Sequence, residues 1–578
     1  ASCLVGSEMC IRDSINKEKQ MAFQLSPGVV VKEQDFTSIV PNVATSSGAF
    51  AGNFQWGPIE DPVQIVSENN LVERFGPPTD ATFDSFFTAA NFLSYSNNLL
   101  TVRADTTAAR NAVATGTAVK IKNLNDYTSN YVGGSNNVGT VAAKWAGTRG
   151  NSIKVEIADS ATFASWANKG KFDRAPGTSA SVAAAGGSDD ELHVLVIDED
   201  GLFTGTAGAT LETFAHVSAA SDAKKFDGSN NFYKDVINSQ SRFIWWMDHP
   251  TVTGTAWGAA SSGTTYGDLA AVYAVSLTGG VDTAPTAGNV QTALSIFAND
   301  ELYDISLVMV GKADAATATF AINNIAEVRK DCMVFCSAED ASGNTILATD
   351  ADPVGDITTY RNSLPSSSYG VLDTGSKYQY DRYNDKYRYV PLNGDIAGLA
   401  ARTDYDQDAW FSPAGASRGQ IKNVVKLAFS PNKTQRDTLY QAGVNPVVTF
   451  PGNGTQLFGD KTLLSSESAF NRINVRRLFI VLEKAIAIAA KAQLFEFNDE
   501  FTRNDFKNAV NPFLRDVQGR RGITDFTVVC DSTNNTGDVV DRNEFRADIF
   551  IKPNRAINFI TLTFVASKSS VDFSEIGG

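Results

Sequence analysis

The stretch 288–337, GNVQTALSIFANDELYDISLVMVGKADAATATFAINNIAEVRKDCMVFCS, decides the fold. GNVQTALSIFAND carries apolar residues at helical spacing and precedes the apolar run DISLVMVG at 304–311. A second helical pattern, about 314–330, precedes CMVFCS. Neither apolar run alternates with polar residues, so both read as parallel strands covered on both faces.

On the N-terminal side, LLTVRA (99–104) reads as a third strand of the same sheet. A helix over about 82–96 leads into it, with Phe83, Phe86, Phe87, Ala90 and Leu93 at helical spacing. An earlier helix is capped by Ser67 and runs to Phe75, where Gly76 and then Pro77-Pro78 stop it. Residues 105–287 break this pattern. They are rich in Ala, Gly, Ser, Thr and Asn, with strands at about 152–158 and 192–198, and read as a β-rich domain inserted into the α/β unit.

Beyond Asp373, tyrosines alternate with charges around Asn384-Asp385, a hairpin pattern with a tight turn, and NGDIAGLAARTD reads as a loop into a short helix. A helix over about 472–492 is apolar nearly all round past Leu478 and is expected to be buried. Another, about 500–517, is expected to kink or restart at Pro512. Strands follow at about 525–531, 545–552 and 557–567. The last is apolar on both faces and needs cover that a small domain does not supply. Near the other end, Val29, Val30 and Val31 with Lys32 form a β-prone arm too short to fold alone.

The expected class is therefore α/β and α+β multidomain, consistent with 578 residues, too many for one core. The expected order is a non-native or disordered leader at 1–20, an arm at 21–42, the first α/β part at 43–104 and the insert at 105–287. The second α/β part follows at 288–435, then a C-terminal domain at 436–556 and a terminal strand and tail at 557–578. The leader has no basic segment followed by an apolar one, so it is not a secretory signal, and Met21 is read as the start.

Composition removes several function classes. A net charge of −15 disfavours duplex nucleic acid as a main partner. Nothing approaches eighteen consecutive apolar residues, so no membrane span is expected. With Cys3 and Cys10 set aside in the leader, Cys332, Cys336 and Cys530 sit in apolar runs. Two thiols four residues apart on one strand are roughly 13 Å apart, too far to bridge. Buried free thiols are expected.

The three histidines, His193, His216 and His249, all precede the second α/β part, so a local Ser-His-Asp arrangement there is excluded. His193 is placed in a strand and the other two in polar surroundings, with structural or exposed roles. GNGTQLFGDKT (452–462) imitates a phosphate loop, but Asp460 stands between Gly459 and Lys461. The turn Asp198-Glu199-Asp200 and the acids Asp340, Asp350 and Asp352 read as solvated turns. No catalytic residue, metal ligand or cofactor is assigned, and the chain is expected not to be an enzyme.

Eleven blocks carry a resemblance: LSPGVVVKE, GAFAGNFQWGP, FGPPT, FFTAANFLSYSNNLLTVRA, RKDCMVFCSAED, KYQYDRYNDKYRYVPLNGDIAGLAARTD, WFSPAG, NRINVRRLF, QLFEFNDEFTR, CDSTNN and VVDRNEF. Together they resemble the tail sheath family of contractile-tailed bacteriophages. The match runs from Met21 onward except about 105–270, where the family's protease-resistant outer domain looks reduced or absent.

The resemblance implies a subtilisin-like α/β sheath domain without catalytic residues and an inner, tube-facing C-terminal domain. It implies hexameric rings stacked around a tail tube, with baseplate and tail terminator proteins as further partners, and neither nucleic acid nor membrane contacted directly. Contraction from a metastable extended state would drive the tube through the host envelope for genome ejection. The protein would be assembled in the host cytoplasm and reside in the virion; a phage-derived bacteriocin or secretion apparatus is the alternative. The arms would exchange strands between subunits through Val29, Val30, Val31 and Lys32 at one end and Phe559, Thr561, Thr563 and Val565 at the other. Arg515, Arg520 and Arg521 are the candidate tube contacts, with Arg472, Arg476 and Arg477 as further candidates of which some pair internally.

Overall fold

The computed structural model describes residues 45–134, 137–254 and 257–558. The chain enters on β1 (Gly48–Gly52), followed by the short β2 (Val63–Ile65), helix α1 (Glu68–Phe75), helix α2 (Phe83–Leu93) and β3 (Leu99–Arg103). Ser67 caps α1 by accepting from the Asn70 N–H, and Gly76, at φ +82°, ends it. The left-handed backbone at Gly76 is the reason a glycine stands there.

The insert holds α3 (Leu124–Asn130), β4 (Val141–Ala143), β5 (Ile153–Ala158), α4 (Ala180–Ala184), β6 (Glu191–Asp198), β7 (Ala209–Ser218), α5 (Tyr233–Gln240), β8 (Ile244–Trp246) and β9 (Tyr273–Ser276). Four of these strands form an antiparallel sheet in the order β7-β6-β5-β9, and β4 pairs with β8. Its cores are mostly its own, although Trp56 of the first α/β part enters one of them beside Phe203. Val155, Val194 and Trp246 pack in one, and the Tyr127 and Trp245 rings stack 4.2 Å apart in another.

The ends of the insert lie side by side. Arg110 exchanges backbone hydrogen bonds with Val281 at 2.9 and 3.1 Å, and Val113 with Thr278 at 2.9 and 3.0 Å. Arg103, at the end of β3, donates to the carbonyls of Gly57 (3.2 Å) and Ala146 (2.7 Å), tying this neck to the sheet.

The α/β pattern resumes with α6 (Ala287–Ser295), β10 (Leu307–Met309), α7 (Ala315–Ala321), a π-helical turn (Ile322–Ala326) running into α8 (Glu327–Arg329), β11 (Met333–Ser337), α9 (Pro353–Asn362) and β12 (Gly370–Asp373). The sheet order is β12-β11-β10-β1-β3-β2, parallel except for the edge strand β2. The three strands expected from apolar runs all belong to it. Its central strand, β1, had not been anticipated.

Next come the hairpin β13 (Ser376–Asp381) and β14 (Lys386–Pro391), helix α10 (Asn393–Asp406), β15 (Lys426–Leu427), helix α11 (Lys433–Gln441), and strands β16 (Val447–Phe450) and β17 (Gly454–Leu457). Asp381 opposes Lys386 across the turn at Asn384-Asp385, as the tyrosine pattern required.

NGDIAGLAARTD corrects the expectation of a loop into a short helix: α10 is fourteen residues long and buried from Asn393 to Ala401. Its two glycines allow close helix contact. A Cβ at Gly394 would press into the Thr88 carbonyl of α2, and one at Gly398 would stand 2.5 Å from the Tyr95 ring. Small residues at i and i+4 let two backbones approach, so glycine here marks contact and not a break.

The chain closes with α12 (Ile473–Lys491), α13 (Glu500–Gly519), β18 (Ile523–Val529), α14 (Gly537–Asp541) and β19 (Asp548–Pro553). Two expectations change. The first half of α12 is the buried one, whereas the apolar end past Ala485 is partly open, with Ile488 42% exposed. Helix α13 runs through Pro512 without restarting. Pro512 and Asn508 are exposed, so the carbonyl deprived of its partner faces water.

The cores also move a boundary. Leu439, Val447, Leu457 and Leu463, expected with the C-terminal domain, pack in the central core. Ala409 and Trp410 pack instead with α13 and β18 in the C-terminal core.

Candidate assembly interface

In open α/β sheets, ligands usually sit beyond the carboxyl ends of the strands. Here that position is filled by the first turn of α10. The Asn393 side chain donates to the Gly311 carbonyl (2.8 Å) and accepts from the Gly311 N–H (3.2 Å). Both the backbone and side-chain nitrogens of Asn393 donate to Ser337 Oγ, at 2.9 and 3.0 Å, and Ser337 donates to Asp373 at 2.9 Å. The Ser337 hydroxyl is thus fully engaged.

Beside it, Lys377 and Asp395 form an ion pair with both side chains fully buried (2.9 Å), and the Tyr95 hydroxyl donates to Asp395 at 3.1 Å. Burial lowers the Lys377 pKa and raises that of Asp395, against the attraction between them. Burial also pushes Glu339 up to about 7 and Asp84 up to about 6. These groups close the sheet edge; they do not open a cleft.

The residues that imitated chemical motifs have structural partners. GNGTQLFGDKT forms part of the β16–β17 hairpin, and Asp460 pairs with Arg472 at 2.8 Å. Asp198 is not in a solvated turn but buried, accepting from Ser152 Oγ (2.7 Å) and the backbone of Phe203 and Thr204. Asp352 caps α9 through the Gly355 N–H. His193 stacks on Phe172 at 4.2 Å, and His216 lies between Asp173 (3.0 Å) and Glu191 (3.2 Å). His249 departs from its expected polar setting: its ring bonds the Tyr233 hydroxyl at 2.7 Å among Trp246 and Phe232. Cys332, Cys336 and Cys530 are buried free thiols, as expected.

The unpartnered surface lies in the C-terminal unit. Strands β18 and β19 form a sheet of only two, so each has an unpaired edge among the described residues. Helix α13 backs β18, and Ile523 and Val528 pack into the core beneath, while Phe550 is 64% exposed. At the α12–α13 turn, Leu494, Phe495, Phe497 and Phe501 are all exposed. Sequence reasoning had noticed QLFEFNDEFTR only as a family-like block. Its signal was available in principle, as three phenylalanines interleaved with acids beside a helix start.

The exchange residues Val29, Val30, Val31, Lys32, Phe559, Thr561, Thr563 and Val565 lie outside the described residues. Of the candidate tube contacts, Arg515 is exposed on α13, without an ion pair among the described residues. Arg520 is committed to Asp408 and Asp516 and sits over the Trp410 ring. Arg521 turns the chain at φ +66°. The three are not gathered on one free face.

Arg472, Arg476 and Arg477 are all held internally. Arg472 pairs with Asp460, Arg476 bonds the Tyr369 hydroxyl at 3.2 Å, and Arg477 pairs with Asp404. Among the described residues, no helix is long and apolar enough to cross a membrane.

Three family profiles match. "Phage tail sheath protein central domain" covers residues 284–463, "Phage tail sheath C-terminal domain" 465–567, and "Tail sheath protein Gp18 domain III N-terminal region" 49–104. The tail sheath protein of Vibrio phage KVP40 is 36% identical over 96% of this chain and 100% of its own length. That of Enterobacteria phage T4 is 32% identical over 96% and 99%. The KVP40 alignment runs to 679 positions, more than this chain's length, so that relative carries residues this chain lacks. Among solved structures, a sheath tail protein from Desulfitobacterium hafniense is similar at a TM-score of 0.52, with 16% identity over 91% of this chain and 100% of that one. One from Listeria innocua is similar at 0.51, with 12% identity over 88% and 94%.

Proposed function

Because the chain belongs to the phage tail sheath protein family, we propose that it polymerises as stacked hexameric rings around a tail tube and drives that tube through the host envelope when the sheath contracts. The observation that carries this reading is the two-stranded β18–β19 sheet, whose outer edges are both unpaired among the described residues. A lone pair of strands is marginal in water and presents backbone donors and acceptors to any strand that arrives. The arm at Val29–Lys32 and the terminal strand at Phe559–Val565 are strand-forming segments in need of a sheet. Donated by neighbouring subunits, they extend β18–β19 and join the subunits through main-chain hydrogen bonds. The contact is head-to-tail, so it propagates.

The subunit works without catalysis. The central α/β unit is subtilisin-like in the family's sense of shape, and its sheet edge is filled by Asn393, Ser337 and Asp373. Energy for contraction comes from re-packing the bodies of neighbouring subunits while the exchanged strands keep them joined. Baseplate and terminator proteins hold the two ends, and Arg515 is the candidate contact to an acidic tube. The curated relatives are phage proteins, which favours a virion component, assembled in the host cytoplasm for genome ejection, over an injection apparatus.

The test is negative-stain electron microscopy of the chain expressed alone from Met21, beside a deletion of residues 21–34. Striated hollow tubes from the first and folded monomers from the second are expected. Normal tubes from the deletion would refute strand exchange.

A further inference from the structure

A cleft of about 980 Å³ opens between the central and C-terminal units, and the last described residues, Asn554 to Asn558, form one wall of it. Its rim carries Arg418, Lys433, Arg436, Arg521 and Arg555. None of the five is in an ion pair among the described residues; Arg418 bonds the Ser412 carbonyl and Gln407, and Arg436 the Pro431 carbonyl. Two acids share the lining, Asp437 and Asp460, and Asp460 is already held by Arg472. In a chain of net charge −15, this is a concentration of unmatched positive charge. Burial lowers the Arg418 pKa with no carboxylate to offset it.

The lining holds a second feature. Asn474 is 5% exposed, and its Nδ2 donates to the Trp410 carbonyl at 3.3 Å, yet its Oδ1 is buried without a donor among the described residues. An unmet buried acceptor is destabilising, so it marks a place where an incoming N–H is rewarded. Trp410, Phe411 and Phe458 supply apolar wall. The cleft therefore suits a peptide that brings carboxylates for the rim, apolar side chains for the wall and a backbone N–H for Asn474.

We propose that the occupant is the acidic end of this chain's own tail, residues 571–576 (VDFSEI), delivered by a neighbouring copy. Asn558 lies in the cleft wall, its amide 2.8 Å from the Tyr440 hydroxyl, and twenty residues follow it. Within those twenty, Asp572 and Glu575 are the only acids, and Phe573 and Ile576 alternate with them. A copy that donates residues 559–565 to a neighbour's sheet carries 571–576 on toward that neighbour's cleft. The inference rests on the sheath reading and adds an electrostatic anchor beyond the exchanged strand.

The probe is a fluorescein-labelled peptide of residues 568–578, which lacks the exchanged strand and so reads the cleft alone. The receptor is the full chain carrying Asp572→Lys and Glu575→Lys, whose own tail no longer competes. Saturable anisotropy is expected, weakened roughly tenfold by Arg436→Glu in the receptor and by raised salt. Binding that is absent, or indifferent to Arg436→Glu, overturns the site. The residues 21–34 deletion, which keeps its natural tail, is expected to bind the peptide as well. Failure there assigns the cleft to the chain's own tail and overturns delivery by a neighbour. Tubes in the microscope together with R436E-indifferent binding would remove this inference and leave the sheath reading standing.

Discussion

Arg477→Met should detach the C-terminal unit from its support. Arg477 lies on α12, which packs into the central core through Ile473 and Ile480 and into the C-terminal core through Leu478 and Leu482. Its guanidinium pairs with Asp404 on α10 and donates to the carbonyls of Ala400 (3.0 Å) and Thr45 (3.3 Å). The side chains of Arg477 and Asp404 are 4% and 7% exposed, so water replaces neither partner. Burial already raises the Asp404 pKa despite the arginine. Removing the cation strands a carboxylate at a cost of about 3–5 kcal/mol. Arg477→Met with Asp404→Leu removes both charges and should recover most of that loss. Urea unfolding followed by tryptophan fluorescence reads it, because Trp410 donates to the Arg520 carbonyl within the same junction. A loss below about 1 kcal/mol for the single variant, or a double variant as unstable as the two singles summed, would refute the reasoning.

Gly394→Ala should cost about 1–3 kcal/mol, because the methyl meets the Thr88 carbonyl where α10 crosses α2; a thermal melt unchanged by the substitution would show that the helices can part. Glu339→Gln should be neutral at pH 4 and stabilising at pH 8. The folded carboxyl, pushed up to about 7, holds its proton longer than the unfolded one near 4.5, so the native state loses stability as pH rises between those values; glutamine removes at most about 3 kcal/mol of that loss, read from paired denaturation curves at the two pH values. Arg515→Glu should leave tube formation intact and weaken co-sedimentation with the tail tube protein, and unchanged co-sedimentation would remove Arg515 from the tube face.

Long apolar runs were readable because burial on both faces leaves a composition signal, which is why LLTVRA, DISLVMVG and CMVFCS were placed in one sheet. The strand at their centre was not, since four of the five residues of GAFAG are glycine or alanine and Phe50 alone favours a strand. It is central because Gly48 lies against the Phe92 ring and Leu99, a tertiary reason invisible along the chain. The glycines of α10 misled for the same cause. At the interface, the arms read from the sequence as orphan strands lie outside the described residues, and the basic cleft left no local signal: its cations come from positions 418 to 555 and are dense in no single window.

Arg110 with Val281 and Val113 with Thr278 bring the two ends of residues 114–277 together before any of that segment is reached. Closing a loop across fixed ends becomes costlier only slowly with length, about 0.6 kcal/mol for each doubling. The insert is therefore held as in a socket. Its outer loops can shrink or grow without disturbing the register of β1 and β3, provided that Ala146 and Phe203, which meet Arg103 and Trp56 of the α/β unit, stay in place.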